Sequence, residues 1–237
     1  MRIADAQKKA LQVVLSKKNP LRPNFDDDGK AFWELETDKG FIKIYHEIGR
    51  GSWSRAYLAA DDSPYPQIVF LETNLKDKSK DYLSEMNLFG GTRPHIPIIE
   101  EFDASKKPDF TIYKMPLYNS FQQNQKPEDA GLFNLLRLAQ KEGDDTVYYS
   151  QTAESYEDLA FESRKSVLDY LKEHQATLNP VKDAQLDSII EDLEYIHNFL
   201  TQKEAIYIFE FPSNNLAYDG EGKIILLDVI YPVTVLA

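Results

Sequence analysis

The chain has 237 residues, 42% hydrophobic and 28% charged, enough apolar material for one large domain or for two lobes with cores of their own. Its 27 basic and 39 acidic residues leave a net charge of −12, which opposes non-specific attachment to nucleic acid or to an anionic membrane surface. The absence of cysteine excludes disulfides, thiolate metal sites and cysteine nucleophiles, and fits a reducing compartment such as the cytoplasm.

Residues 3–16 place Ile3, Ala6, Ala10, Leu11 and Val14 on one face of a short amphipathic helix, too short and interrupted for a signal peptide or a membrane span. The stretch KKNPLRPNFDDDGK then breaks it, so residues 1–30 read as a helix and linker. Residues 31–119 change character: AFWELET, FIKIYHEIG, SRAYLAA and QIVFLET are β-type runs separated by the turn signals Asp38-Lys39-Gly40, Gly49-Arg50-Gly51 and Asp61-Asp62-Ser63-Pro64. SKDYLSEMNLFGG predicts one helix stopped by Gly90-Gly91, after which HIPIIEEFD and DFTIYKMPLY resume strand character. The expectation is a five-stranded antiparallel sheet with one inserted helix.

From residue 120 the pattern is helical. NQKPEDAG reads as a linker, GLFNLLRLAQKEG and YEDLAFESRKSVLDYLKEHQ as helices, and Leu186, Ile189, Ile190, Leu193, Ile196 and Leu200 form the apolar face of a third. The acidic EGDDTVYYSQTAESYED is expected to be a mobile segment. Near the end, two apolar runs flank Asp219-Gly220-Glu221-Gly222, the turn chemistry of a tight hairpin. The class is therefore α+β, with a β-rich lobe at 31–119, a helical lobe at 120–237, and a cleft between them as the expected ligand site.

Gly49 and Gly51 lie between two predicted strands, where backbone amides can approach a phosphate closely; a plain hairpin turn is the alternative. In sequence, GRGSWSRAY resembles the glycine-rich loop of protein kinases, with Ser54 where the third glycine usually stands. That resemblance requires an acidic base, an Asn five residues on, a hairpin and then a metal-binding Asp. Glu210, Asn215 and Asp228 have this order, with Asn215 five positions after Glu210 and Asp228 thirteen positions after Asn215. The hairpin would set Asn215 beside Asp228, where amide and carboxylate oxygens can hold Mg²⁺ on nucleotide phosphates. An Asx turn at Asn215, a strand-end carboxylate at Asp228 and a backbone-bonding glutamate at Glu210 are the structural alternatives.

The chain also resembles the early serine/threonine kinases of podoviruses that infect enterobacteria, through GRGSWSRAY, RPHIP at Arg93–Pro97, and FEFPSNN at Phe209–Asn215. The motifs are short and cover about half of the chain. The resemblance implies a two-lobed protein kinase-like fold with a reduced helical C-lobe, and ATP with Mg²⁺ as cofactors. It further implies a host protein as substrate or target in the host cytoplasm, with no nucleic acid and no membrane as partners. Gly49, Gly51, Ser52, Trp53, Ser54 and Glu85 would contact the nucleotide, Asn215 and Asp228 the metal, and Glu210 would be the catalytic base.

Three departures stand beside this. The third strand offers Phe70, Leu71 or Glu72 where kinases carry a phosphate-gripping Lys, so that Lys43, Arg50 or Arg55 would have to supply the positive charge. The base position is Glu210 instead of Asp, and misplacement by about an ångström can cost about 100-fold in rate. Val229-Ile230 follows Asp228 instead of Phe-Gly, and the helices that normally hold a peptide substrate are missing from their usual place unless residues 120–200 substitute for them. These departures admit a pseudokinase that acts by binding a host protein. A small-molecule phosphotransferase, with the same acidic-x₄-Asn then Asp arrangement, is the other alternative.

Overall fold

The computed structural model describes residues 24, 25, 27–37, 40–50, 54–60, 68–74, 78–102, 110–149, 154–175 and 180–233. The helix expected at 3–16 and the turn residues Gly51, Ser52 and Trp53 lie outside them. Two compact units divide the chain, residues 1–84 with 98–117, and residues 85–97 with 118–237. The sequence placed a single boundary near 120, whereas residues 85–97 join the second unit.

The first unit is an antiparallel sheet of seven strands: β1 (Asn24–Phe25), β2 (Ala31–Thr37), β3 (Gly40–Arg50), β4 (Ser54–Ala60), β5 (Ile68–Asn74), β6 (Glu100–Phe102) and β7 (Phe110–Pro116). Their order is β1-β2-β3-β4-β5-β7-β6. The count among the described residues exceeds the expected five; β1, of two residues, is too short to carry a period-2 pattern, whereas β6 lies within the run HIPIIEEFD that the sequence marked as strand-like. The longer strands follow that pattern: Ile42 and Ile44 are buried around exposed Lys43, and Tyr57 and Ala59 are buried on the neighbouring strand. Helix α1 (Ser79–Gly90) begins in this unit. Leu83 is fully buried, and Asp81 accepts a hydrogen bond from the Tyr113 hydroxyl on β7.

In the second unit α1 ends where the sequence predicts, with Gly91 in the left-handed region at φ +72°. A Cβ on Gly90 would run into the Tyr195 hydroxyl, so any larger residue there requires that side chain to move. The short strand β8 (Asn119–Ser120) and helix α2 (Phe121–Asn124) lead to α3 (Ala130–Tyr149), α4 (Tyr156–Gln175) and α5 (Pro180–Gln202). Residues 142–149, expected as part of a mobile segment, are the last two turns of α3. Gly143 explains their order: a Cβ there would lie 2.8 Å from Val167 Cγ2 and 3.0 Å from Ser163 Oγ on α4. The two helices therefore meet almost backbone to side chain. All six apolar residues predicted for the face of α5 are buried.

Four short strands complete the unit: β9 (Tyr207–Phe209), β10 (Leu216–Tyr218), β11 (Ile224–Leu226) and β12 (Ile230–Pro232). The predicted hairpin is β10 with β11, in register Leu216↔Leu226 to Tyr218↔Ile224. Its turn is closed by Asp219, whose Oδ1 accepts from the Glu221 and Lys223 amides at 2.9 and 2.8 Å, while Gly222 takes φ +82°. β8 adds a third strand to the hairpin and β12 pairs with β9.

Two buried polar clusters hold this unit together. Arg93 Nη1 donates to Asp192 Oδ1 at 2.8 Å, the His95 amide donates to Asp192 Oδ2 at 2.8 Å, and His95 Nδ1 lies 2.6 Å from the Ile224 carbonyl. The RPHIP motif is thus a strap that ties α5 to the hairpin. The second cluster centres on Arg164 of α4, which is 1% exposed. It donates to the Ala205 and Tyr207 carbonyls, to Thr201 Oγ1 and, at 3.4 Å, to His197 Nδ1. Burial, aided by the Arg164 charge, pushes His197 down to about 4. A histidine whose folded pKa lies below its unfolded value stabilises the fold above about pH 6.5 and loses that contribution as pH falls towards 4. His197→Gln is therefore expected to flatten the melting-temperature profile between those pH values; an unchanged slope would remove His197 as its source.

Candidate functional site

Of the predicted site residues in the second unit, Glu210 and Asn215 lie on the loop between β9 and β10, and Asp228 lies beside it. Glu210 is half-buried, flanked by Phe209 and Phe211, which are 1% and 0% exposed. Both rings are enclosed in the core, while the Glu210 side chain between them stays partly accessible. Its amide donates to the Val229 carbonyl at 2.9 Å, which brings the loop alongside Asp228. Pro212 then opens a 3₁₀ turn, Ser213–Asn215.

Three hydrogen bonds fasten Asn215 to the Leu227–Asp228 turn. Its carbonyl accepts from the Leu227 amide at 2.9 Å and, more weakly, from the Asp228 amide at 3.4 Å. Its Nδ2 donates to the Asp228 carbonyl at 2.6 Å. The Asn215 Oδ1 accepts from Asn214 Nδ2 at 3.2 Å and keeps a second lone pair for another partner. Asp228 lies in the turn after β11, not in the strand as its apolar neighbours suggested.

Among the described residues no group donates a hydrogen bond to the Glu210 carboxylate. The loop-clamping role that was the alternative for this residue belongs to Gln140 on α3, whose Oε1 accepts from the Phe211 amide at 2.8 Å. Gln140 Nε2 also reaches Asp144 at 3.5 Å. Burial first, and then the carboxylates of Asp144 and Asp228, raise the Glu210 pKa, with Arg137 opposing them. Burial likewise raises Asp144. Gln140, Asp144 and Arg137 are neighbours of the site that sequence reading missed, since nothing local in GLFNLLRLAQKEGD marks them.

The nucleotide-contacting candidates belong largely to the first unit. Gly49 is exposed on β3 with its Cα opposite Ala56, and a Cβ there would sit 3.9 Å from that of Ala56. Neither packing nor a positive φ demands glycine at 49. Ser54 opens β4. Glu85, in the second unit, forms an ion pair with Lys203, beyond the end of α5. Lys43, one candidate for the missing cation, sits 5.1 Å above the Phe32 ring.

Among the described residues no three His, Cys, Asp or Glu side chains are grouped as a metal cage. Mg²⁺ does not need such a cage, since that ion usually takes one or two protein ligands and completes its shell with phosphate oxygens and water. No described helix is long and apolar enough to cross a membrane. Compared with family models and with curated proteins, the chain matches none.

Proposed function

We propose that the protein is a kinase-like phosphotransferase that moves the γ-phosphoryl group of ATP to a serine or threonine of a protein substrate. The observation that carries this reading is the pairing of Asn215 with Asp228 beside a half-buried Glu210 carboxylate to which no described residue donates a hydrogen bond. Asn215 and Asp228 would hold Mg²⁺, which when bound neutralises the phosphate charge. The raised pKa of Glu210 suits a group that accepts a hydroxyl proton near neutrality, and its position is fixed by the flanking phenylalanines and by Gln140. Gly49, Gly51, Ser52, Trp53 and Ser54 keep their phosphate-covering role on the strength of the sequence. The likeness to podoviral kinases makes a host protein the proposed substrate and the host cytoplasm the place.

The ion pair of Glu85 with Lys203 favours a second reading, a pseudokinase that binds its target without phosphorylating it, because that carboxylate is already occupied by a cation outside the nucleotide loop. Incubation with γ-labelled ATP, Mg²⁺ and a host-cell extract separates the two. Label transfer that stops on addition of a chelator supports the kinase. ATP-dependent thermal stabilisation without transfer supports the pseudokinase. If ATP neither stabilises the protein nor labels anything, both readings fall.

A further inference from the structure

One face of the first unit's sheet is enclosed, although the helix that begins in that unit lies against the other. Trp33 pairs with Ile44 and Ile44 with Ala59, so the three share a face, and strand alternation adds Ile42 and Tyr57 to it. Ile42, Ile44, Tyr57 and Ala59 are at most 2% exposed. Ala56, Leu71 and Tyr113 form the adjacent row and point the opposite way, and it is Tyr113 that donates to Asp81 on α1. An antiparallel sheet leaves a face to water unless a second layer packs on it, so the enclosed face needs a layer other than α1.

The stretches of this unit outside the described residues narrow what that layer is. Residues 61–67 and 103–109, DDSPYPQ and DASKKPD, are polar and turn-forming, with no apolar stripe. Residues 38–39, 51–53 and 75–77 are shorter still. Residues 3–16 alone carry an apolar periodicity, through Ile3, Ala6, Ala10, Leu11 and Val14. A helix over that span is about 21 Å long, enough to cross four or five strands at about 4.8 Å spacing. Residues 17–23 can then reach up to about 24 Å to Asn24, where β1 pairs with β2 at the edge of the same sheet. Charge favours the same arrangement: residues 1–23 carry six basic side chains and one acidic, which leaves −17 on the rest of the chain.

We propose that residues 3–16 are that layer, an amphipathic helix docked in cis with its apolar stripe on Ile42, Ile44, Tyr57 and Ala59. It braces β3 and β4, the strands that flank residues 51–53, and it does not depend on the phosphotransferase reading.

Two measurements on the full chain test the docking. In hydrogen exchange, the amides of residues 7–14 should exchange at least about 100-fold more slowly than in an unfolded chain, because an unpacked helix of this length is marginal in water. In a Trp53→Phe background, Trp33 shares the enclosed face and reports on it. Leu11→Glu should shift its emission to the red, raise its quenching by acrylamide and lower the melting temperature by about 5 °C or more. Gln12→Glu, on the opposite side of the helix, should change none of these. Leu11→Ala, expected to act in the same direction, replaces Leu11→Glu should that variant not fold. Unprotected amides at 7–14, or a Trp33 signal indifferent to both Leu11 substitutions, overturns the proposal. Protection that appears only with anionic vesicles overturns it in favour of a membrane-binding segment, and protection lost on dilution overturns the cis arrangement in favour of a second copy.

Discussion

Glu210→Gln is expected to lower label transfer by about 100-fold or more and, at pH 8, to raise the melting temperature. The first effect follows from removing the only group proposed to take the hydroxyl proton while keeping the shape of the side chain. The second follows from the direction of the pKa shift. Burial and the carboxylates of Asp144 and Asp228 make the Glu210 anion less stable in the folded chain than in the unfolded one. Its raised folded pKa means that the fold gains when the group is protonated and loses that gain as pH rises through the folded value. A neutral amide escapes the loss, so the variant's advantage should be present at pH 8 and vanish below about pH 4. Melting curves at both pH values, with transfer assays alongside, read the two effects separately. A variant that loses transfer and also melts lower at pH 8 would make Glu210 a structural residue.

Arg93→Met is expected to destabilise the protein by about 3–5 kcal/mol, measured by urea unfolding. The reason lies in Asp192, which is 1% exposed and accepts from both Arg93 and the His95 amide. Without the guanidinium, the buried carboxylate keeps the hydrogen bond from the His95 amide but loses its compensating charge. Adding Asp192→Asn removes the stranded charge while leaving an oxygen for the His95 amide, so the double variant should be more stable than Arg93→Met alone. If the two substitutions instead add, the pair is not coupled and the loss in Arg93→Met comes from its packing over the Tyr195 ring, 4.2 Å away.

Much of the local structure was legible because it obeys short-range rules. AFWELET, SRAYLAA and YEDLAFESRKSVLDYLKEHQ coincide with β2, β4 and α4. The Asp-Gly-Glu-Gly turn fixed the hairpin, and with it the meeting of Asn215 and Asp228. HIPIIEEFD was read as one strand, but its first half is the strap. Ile96 and Pro97 are buried by packing at a loop, and periodicity does not distinguish that from a strand edge. The surroundings of Glu210 were hidden for a different reason. Gln140 and Asp144 lie some seventy residues earlier, and their helical spacing reads as an ordinary solvated face until the chain is folded. Arg164 was hidden likewise, since a charged residue within an amphipathic helix gives no sign that it will be enclosed.

That enclosed guanidinium joins elements distant in the chain. Because one side chain of α4 is bonded to the last turn of α5 and to the carbonyls that lead into β9, none of the three can open without leaving a bare charge or orphaned carbonyls inside the others. Amide protons of α4, the end of α5 and β9 should therefore exchange with solvent as one slow cooperative group, well behind those of the hairpin turn at Gly220. The loop carrying Glu210 grows directly out of that slow group, so the platform beneath the proposed base stays fixed while nearby surface segments breathe.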